Sequence, residues 1–268
     1  LIEEGDASPA DVYLAQDAGA LAAVGKEGLL TELPEESLDL VDDTYRADDG
    51  SWVGITGRAR VLVYNRDAIS ENDLPDSVLD LTDPEWAGRV GVAPTNASFQ
   101  AFVTAMRVEL GEDETREWLE ALAANDPQIR EKNGAIVADV AAGTLDAGLV
   151  NHYYVVESAK EAGQGVDEFP AGLHFFPDGD VGGLINVSGV ALVGDQPDGD
   201  AQAFIDHLLS QEGQEYFREQ TGEYPLARGV DGPDGVPPLD DLQAPDVDLN
   251  DLDDLQETVR MISEAGLS

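Results

Sequence analysis

Short apolar, β-branched runs alternate with helix-period segments along almost the whole chain, and this alternation limits the folds open to it. Residues 10–14 form a first apolar run. Residues 17–30 follow, with Leu21, Val24 and Leu29 spaced for a helix that ends near Gly28. Residues 52–55 and 60–64 read as two strands, with Thr56-Gly57-Arg58 as a polar turn between them. Strands are expected at 89–93, 147–150 and 187–193. Helices are expected at 99–110, 113–124, 136–142, 200–209, 213–221 and 255–265. Residues 233–254 are acidic and proline-bearing, and read as loop. Strands alternating with helices imply an α/β architecture with largely parallel sheets. The strands at 61–64 and 187–193 read as crossovers between two lobes.

At 268 residues with 42% hydrophobic content, the chain can build two cores. Fourteen Lys and Arg against 56 Asp and Glu give a formal charge of −42, which argues against nucleic acid as a partner, because phosphate binding needs clustered cations. Anionic membrane surfaces are disfavoured for the same reason. The acidic residues are scattered instead of forming one tail, and lysine occurs only at 26, 132 and 160. Such self-repulsion opposes compaction in dilute salt. It is screened when molar salt shortens the Debye length to ~3 Å. The charge therefore reads as adaptation to a halophilic host. The absence of cysteine removes disulfides, thiolate metal sites and a cysteine nucleophile. No run approaches the roughly 18 apolar residues of a membrane span. Residue 1 reads as the end of a helix, so an N-terminal segment with a signal or lipid anchor is expected to precede it.

The run Asn151-His152-Tyr153-Tyr154 carries the chemistry that the rest of the composition leaves open. Two phenols can serve packing, or can supply hard oxygen donors to a trivalent cation. Adjacent strand residues point to opposite faces, so both can reach one point only at a strand end or bend. The turn Asn96-Ala97-Ser98 follows a strand and opens a helix, which suits either a plain cap or an anion site. Asn133 sits before a helix and Asn151 before the tyrosines, and each can donate to an anion or simply turn the chain. Arg58 and Arg60 are rare cations suited to an oxyanion or to a surface ion pair. Gln16 and Asp17 stand at a strand-to-helix junction, where ligand-binding residues and caps both occur. His152 reads as a supporting group, and His174 and His207 lack metal-ligand spacing. No nucleophile elbow, phosphate loop, dinucleotide fingerprint or zinc helix is present.

Seven segments in order resemble the ferric-ion-binding proteins that serve ABC transporters. They are Ser8-Pro9-Ala10-Asp11-Val12, Gln16-Asp17-Ala18-Gly19-Ala20-Leu21, Gly57-Arg58-Ala59-Arg60-Val61, Leu81-Thr82-Asp83-Pro84-Glu85-Trp86, Ala93-Pro94-Thr95-Asn96-Ala97-Ser98-Phe99, Gly148-Leu149-Val150-Asn151-His152-Tyr153-Tyr154 and Glu223-Tyr224-Pro225-Leu226. The resemblance implies a type II periplasmic-binding fold, with two α/β lobes closing on a ligand cleft. Residues 1–60 and 188–230 would form lobe I and residues 64–185 lobe II, with residues 231–268 packing on the scaffold. It implies Fe(III) held by Tyr153 and Tyr154, with Gln16 where some members place a glutamate. A synergistic anion, carbonate or phosphate, would sit at Asn96, Ala97 and Ser98 with help from Asn133 and Asn151. Arg58 and Asp17 would support it. Ala97 stands where some members carry a third tyrosine. A monomeric, extracytoplasmic receptor at the cell surface would then deliver iron to a permease.

Two other functions fit parts of the sequence. The same fold could bind a small oxyanion such as a phosphonate without metal, the tyrosines then stacking or hydrogen-bonding. An enzyme on this fold would need a nucleophile, base or cofactor motif, none of which is visible, and a non-enzymatic role is expected. The charge yields a separate prediction. The midpoint of thermal unfolding should be higher in molar KCl or NaCl than in dilute buffer, and equal midpoints would refute salt adaptation.

Overall fold

The computed structural model describes residues 1–194 and 199–267. In chain order the main elements are β1 (Val12–Ala15), α1 (Ala18–Lys26), β2 (Leu30–Thr31), α2 (Glu35–Leu38), β3 (Val53–Asn65), β4 (Val90–Val92), α3 (Ala97–Leu110), α4 (Glu112–Ala124), β5 (Gln128–Ile129) and α5 (Asn133–Ala141). They continue with β6 (Ala147–Asn151), α6 (Tyr153–Glu161), β7 (Ala171–His174), β8 (Ile185–Val193), α7 (Gly199–Leu209), α8 (Gln211–Thr221), β9 (Tyr224–Pro225) and α9 (Leu255–Glu264). They form two compact α/β units. Among the described residues, no helix is long and apolar enough to cross a membrane.

Unit 1 comprises residues 1–58, 186–233 and 248–254. Strands β1 and β2 pair antiparallel with β8, and Thr56 and Gly57 of β3 pair antiparallel with β9. Asp17 caps α1 by accepting from the Ala20 N–H at 2.9 Å. A Cβ on Gly19 would overlap the Leu252 carbonyl, so this glycine lets residues 248–254 lie directly on α1. Gln214 is fully buried and fully bonded. Its amide donates to the Ile55 and Leu208 carbonyls at 3.1 and 2.9 Å and accepts from the Leu226 and Ala227 N–H groups.

Unit 2 comprises residues 59–185, 234–247 and 255–268. Its strands run in the order β5-β4-β6-β3-β7. Helices α3 and α4 carry the chain from β4 to β5, and α5 carries it from β5 to β6. Such helical crossovers return the chain in the same direction, which makes β5, β4 and β6 parallel neighbours. Gly91 of β4 and Gly148 of β6 face Ile136 of α5. A Cβ on Gly148 would collide with that side chain, and one on Gly91 would press on it and collide with Leu145, so α5 rests directly on the strands. Val61, Val63, Val137, Val140 and Val150 fill the core between them. At the other end of the chain, α9 packs on α3 and α4.

Two sequence expectations are corrected. The sheets are not largely parallel: β1, β2, β6, β7 and β9 all pair antiparallel with β8 or β3, while β4 pairs parallel with β5 and β6. The strands flanking β8 and β3 run against those central strands, so neighbours there are antiparallel even where a helix joins two flanking strands. Thr56-Gly57-Arg58 is not a turn either, because β3 is one buried strand of 13 residues. Its polar groups find partners in unit 1: the Thr56 hydroxyl bonds Glu223, and the Arg58 Nη2 donates to the Val187 carbonyl at 3.2 Å. Polarity here marks internal hydrogen bonding instead of a solvent-exposed bend.

The close seat of α5 predicts a specific weakness. Gly148→Ala should destabilise the protein by about 1–3 kcal/mol, the usual cost of overpacking a closed core. Urea unfolding measures this, and an unchanged midpoint would show that α5 can move outward freely.

Candidate functional site

The parallel trio in unit 2 creates the site. Strands β5, β4 and β6 end along one edge of the sheet, and each hands the chain to a helix within four residues. The N-termini of α5, α3 and α6 therefore open at that edge with unsatisfied N–H groups and positive dipole ends. In α/β sheets this carboxyl-end edge is where ligands bind.

Side chains from these junctions interlock. Asn96 caps α3, its Oδ1 accepting from the Ser98 N–H at 3.0 Å and the Ser98 hydroxyl at 2.8 Å. The Ser98 Oγ also accepts from the Asn133 Nδ2 at 2.8 Å and the Arg60 Nη1 at 3.2 Å, which saturates the hydroxyl. Asn133 is the first residue of α5 and not, as the spacing suggested, a residue ahead of the helix. It is 0% exposed, and its Oδ1 lacks a hydrogen-bond partner. Asn151, the last residue of β6, accepts from the Arg60 Nη1 at 3.5 Å. Ala97 is the exposed first residue of α3 and contributes no side-chain donor.

Arg60 is the centre of this network. It is 1% exposed, lies over the rings of Phe99 and Phe102 at 5.7 and 5.4 Å, and donates from Nη2 to the Leu149 carbonyl at 3.0 Å. Burial pushes its pKa down to about 9, while the phenols of Tyr154 and Tyr153 act to raise it, and the group stays charged at neutral pH.

Tyr153 and Tyr154 form the first turn of α6, immediately after β6. Successive helical residues diverge by about 100°, not the 180° of a strand, so the rings can lie side by side. Their centroids are 4.2 Å apart and the planes 28° from parallel. His152 is fully buried. Its Nδ1 accepts from the Ala59 N–H at 3.1 Å and its own N–H donates to the Ala59 carbonyl at 3.0 Å, which locks the start of α6 to β3. Of the side chains gathered at the strand ends, the two phenols are the ones that can become anions. Among the described residues, no group of three or more histidines, aspartates and glutamates is assembled to hold a metal.

Three sequence-named residues belong to unit 1. Gln16 is exposed after β1, Asp17 caps α1, and Arg58 holds the Val187 carbonyl. Arg60, and not the expected Arg58, is the arginine that joins the Asn96–Ser98 turn to Asn151. Phe99 and Phe102 of α3 serve as its aromatic supports.

Residues 7–250 match the family model described as bacterial extracellular solute-binding protein. The chain is 36% identical over 269 residues to the Fe(3+)-binding periplasmic protein of Serratia marcescens, covering 100% of this chain and 78% of that protein. Iron-bound HitA from Pseudomonas aeruginosa superposes with a TM-score of 0.89 at 37% identity, over 99% of this chain and 85% of that one. The Trichodesmium protein IdiA (FutA), in complex with iron and citrate ligands, superposes with a TM-score of 0.86 at 25% identity, over 100% and 86% of the two chains.

The saturated hydroxyl of Ser98 yields a prediction. Ser98→Ala leaves the Asn133 amide and the Arg60 guanidinium each short of an acceptor. It should lower stability by about 2 kcal/mol, more than the ~1 kcal/mol typical of a lost helix cap. A loss below ~0.5 kcal/mol in urea unfolding would show that these bonds re-form elsewhere.

Proposed function

This chain belongs to the bacterial extracellular solute-binding protein family, and on that premise we propose that it captures Fe(III) outside the cytoplasm and delivers it to an ABC transporter permease. The observation that carries the proposal is the tyrosine pair at the end of β6, beside a charged Arg60 and three helix N-termini. Phenolate is a hard, anionic oxygen donor suited to a trivalent ion. The ferric-binding names of relatives similar over the full chain support the same cargo.

Tyr153 and Tyr154 bind as phenolates in this proposal, with Gln16 as a further, neutral ligand. A small anion completes the coordination, held by the Asn96–Ser98 turn, Asn133 and Asn151. The presence of citrate together with iron in the Trichodesmium complex supports a co-bound anion. Arg58 and Asp17 act as supports within unit 1. The protein works as a monomer, anchored at the cell surface, with binding and release but no covalent step.

A free phenol ionises near ~10. At neutral pH, Fe(III) binding must displace both phenolic protons, and affinity falls as pH falls because protons compete for the same oxygens. Tyr153→Phe and Tyr154→Phe each remove one phenolate and keep the ring. Unfolding midpoints should barely change, while Fe(III) affinity and the visible iron–phenolate band drop sharply. If both variants bind Fe(III) as tightly as the parent, the tyrosines are packing residues. Colourless binding of a phosphonate or similar oxyanion would then favour the metal-free alternative.

A further inference from the structure

Strand β6 turns into helix α6 within a single residue, His152. The antiparallel register of β3 and β6 sets Arg60 opposite Asn151, so Ala59 stands opposite His152. A hydrogen-bonded pair of this kind normally exchanges two bonds, each residue's N–H donating to the other's carbonyl. The first is made, from the His152 N–H to the Ala59 carbonyl at 3.0 Å. For the second, the His152 backbone is already helical, with φ −55° and ψ −41°. Its carbonyl accepts from the Val155 N–H at 3.0 Å and the Val156 N–H at 3.4 Å, inside α6. The Ala59 N–H goes instead to the His152 Nδ1 at 3.1 Å. The imidazole thus stands in for a main-chain carbonyl that the helix has taken, and a buried N–H of β3 keeps its acceptor.

Where this switch falls decides where the phenols point. Continued as strand, residues 153 and 154 would face opposite sides of the sheet. In the first turn of α6 the two rings lie side by side, with centroids 4.2 Å apart, and the fully buried His152 ring meets that of Tyr153 edge-on at 6.1 Å. We infer that His152 is a positioning residue for Fe(III) capture: its Nδ1 holds the strand-to-helix switch at this residue, and so keeps both phenols on one ion. Without that acceptor, the Ala59 N–H competes for the His152 carbonyl and draws the chain back toward strand. The inference rests on the Fe(III) reading of the tyrosine pair.

The test compares two nearly isosteric substitutions in the full chain. His152→Asn places an amide oxygen where Nδ1 stands, and His152→Leu places a methyl group there. Both vacate the same ring space, so the difference between them reads the acceptor alone. Fe(III) is supplied from a weak hydroxamate chelate at fixed pH and salt, and the visible phenolate band is followed, with urea unfolding measured beside it. His152→Leu should bind Fe(III) at least about tenfold more weakly than the parent, the scale of one hydrogen bond. Its band should be weaker per bound iron, because one phenol turns away. His152→Asn should recover most of the affinity and of the band. A His152→Leu protein that unfolds more easily yet keeps the parent's affinity and band overturns the inference, since that is the signature of a merely structural residue. So does equal weakening in the two variants. If His152→Leu does not fold, hydrogen exchange in the parent decides. Coupling is reciprocal, so Fe(III) must slow exchange of the Ala59 amide, and a rate that Fe(III) leaves unchanged overturns the inference. A parent with no visible band on adding Fe(III) refutes the Fe(III) reading itself, and this inference with it.

Discussion

Arg60 gives up its hydration in the middle of unit 2 and receives no carboxylate in return. Its position is instead secured from three directions: aromatic faces of α3, a carbonyl and an amide of β6, and the hydroxyl at the head of α3. These contacts tie the helix that opens after β4 to the strand that ends in Tyr153 and Tyr154. A guanidinium suits this role because its rigid fork can serve several acceptors at fixed angles while its face stacks on rings. Lysine would supply the charge without that geometry. The neutral network is therefore a frame whose parts hold one another in register, and its charge is directed to the edge where the helices begin.

Two electrostatic regimes coexist in the protein. The acidic residues of the exterior are numerous, and their effect on an approaching cation is general and salt-dependent. The edge of unit 2 works at contact range, with a buried cation, oriented N–H groups and two ionisable phenols. Divalent ions can gather at an acidic surface without distinguishing it from any other. Only a cation acidic enough to displace phenolic protons gains from the inner arrangement. On the proposed reading, the outer charge concerns solvation and the inner charge recognition.

Much of the architecture was legible because it is local. Helical spacing marked α3, α4, α8 and α9 within a few residues, and β-branched runs marked β4, β6 and β8. What escaped depends on partners distant in sequence. The direction of strand pairing follows from which strands meet, and the two-residue strands β2, β5 and β9 exist only through their neighbours. Helix α6 was hidden because Tyr-Tyr-Val-Val has the composition of a strand. Gln214 sits in a polar stretch of sequence that carries no mark of burial, and it closes four backbone bonds in the interior. The tyrosine pair and the Asn96 turn stood out by residue type. The distinction between Arg58 and Arg60 did not, because two arginines one residue apart on a strand differ only in what surrounds them.

The hydroxyls of Thr104 on α3 and Thr258 on α9 meet at 2.8 Å, buried, across 154 positions of sequence, and Arg107 of α3 also donates to Thr258 at 3.0 Å. Helix α3 begins with the turn that Arg60 engages, so the element supporting the site is sealed by a helix far along the sequence. Long-range closures of this kind are slow to form compared with local ones. A growing or unfolded chain consequently has its tyrosines long before it has the frame around them. The frame around the tyrosines thus leans on a contact that local folding of α3 cannot supply.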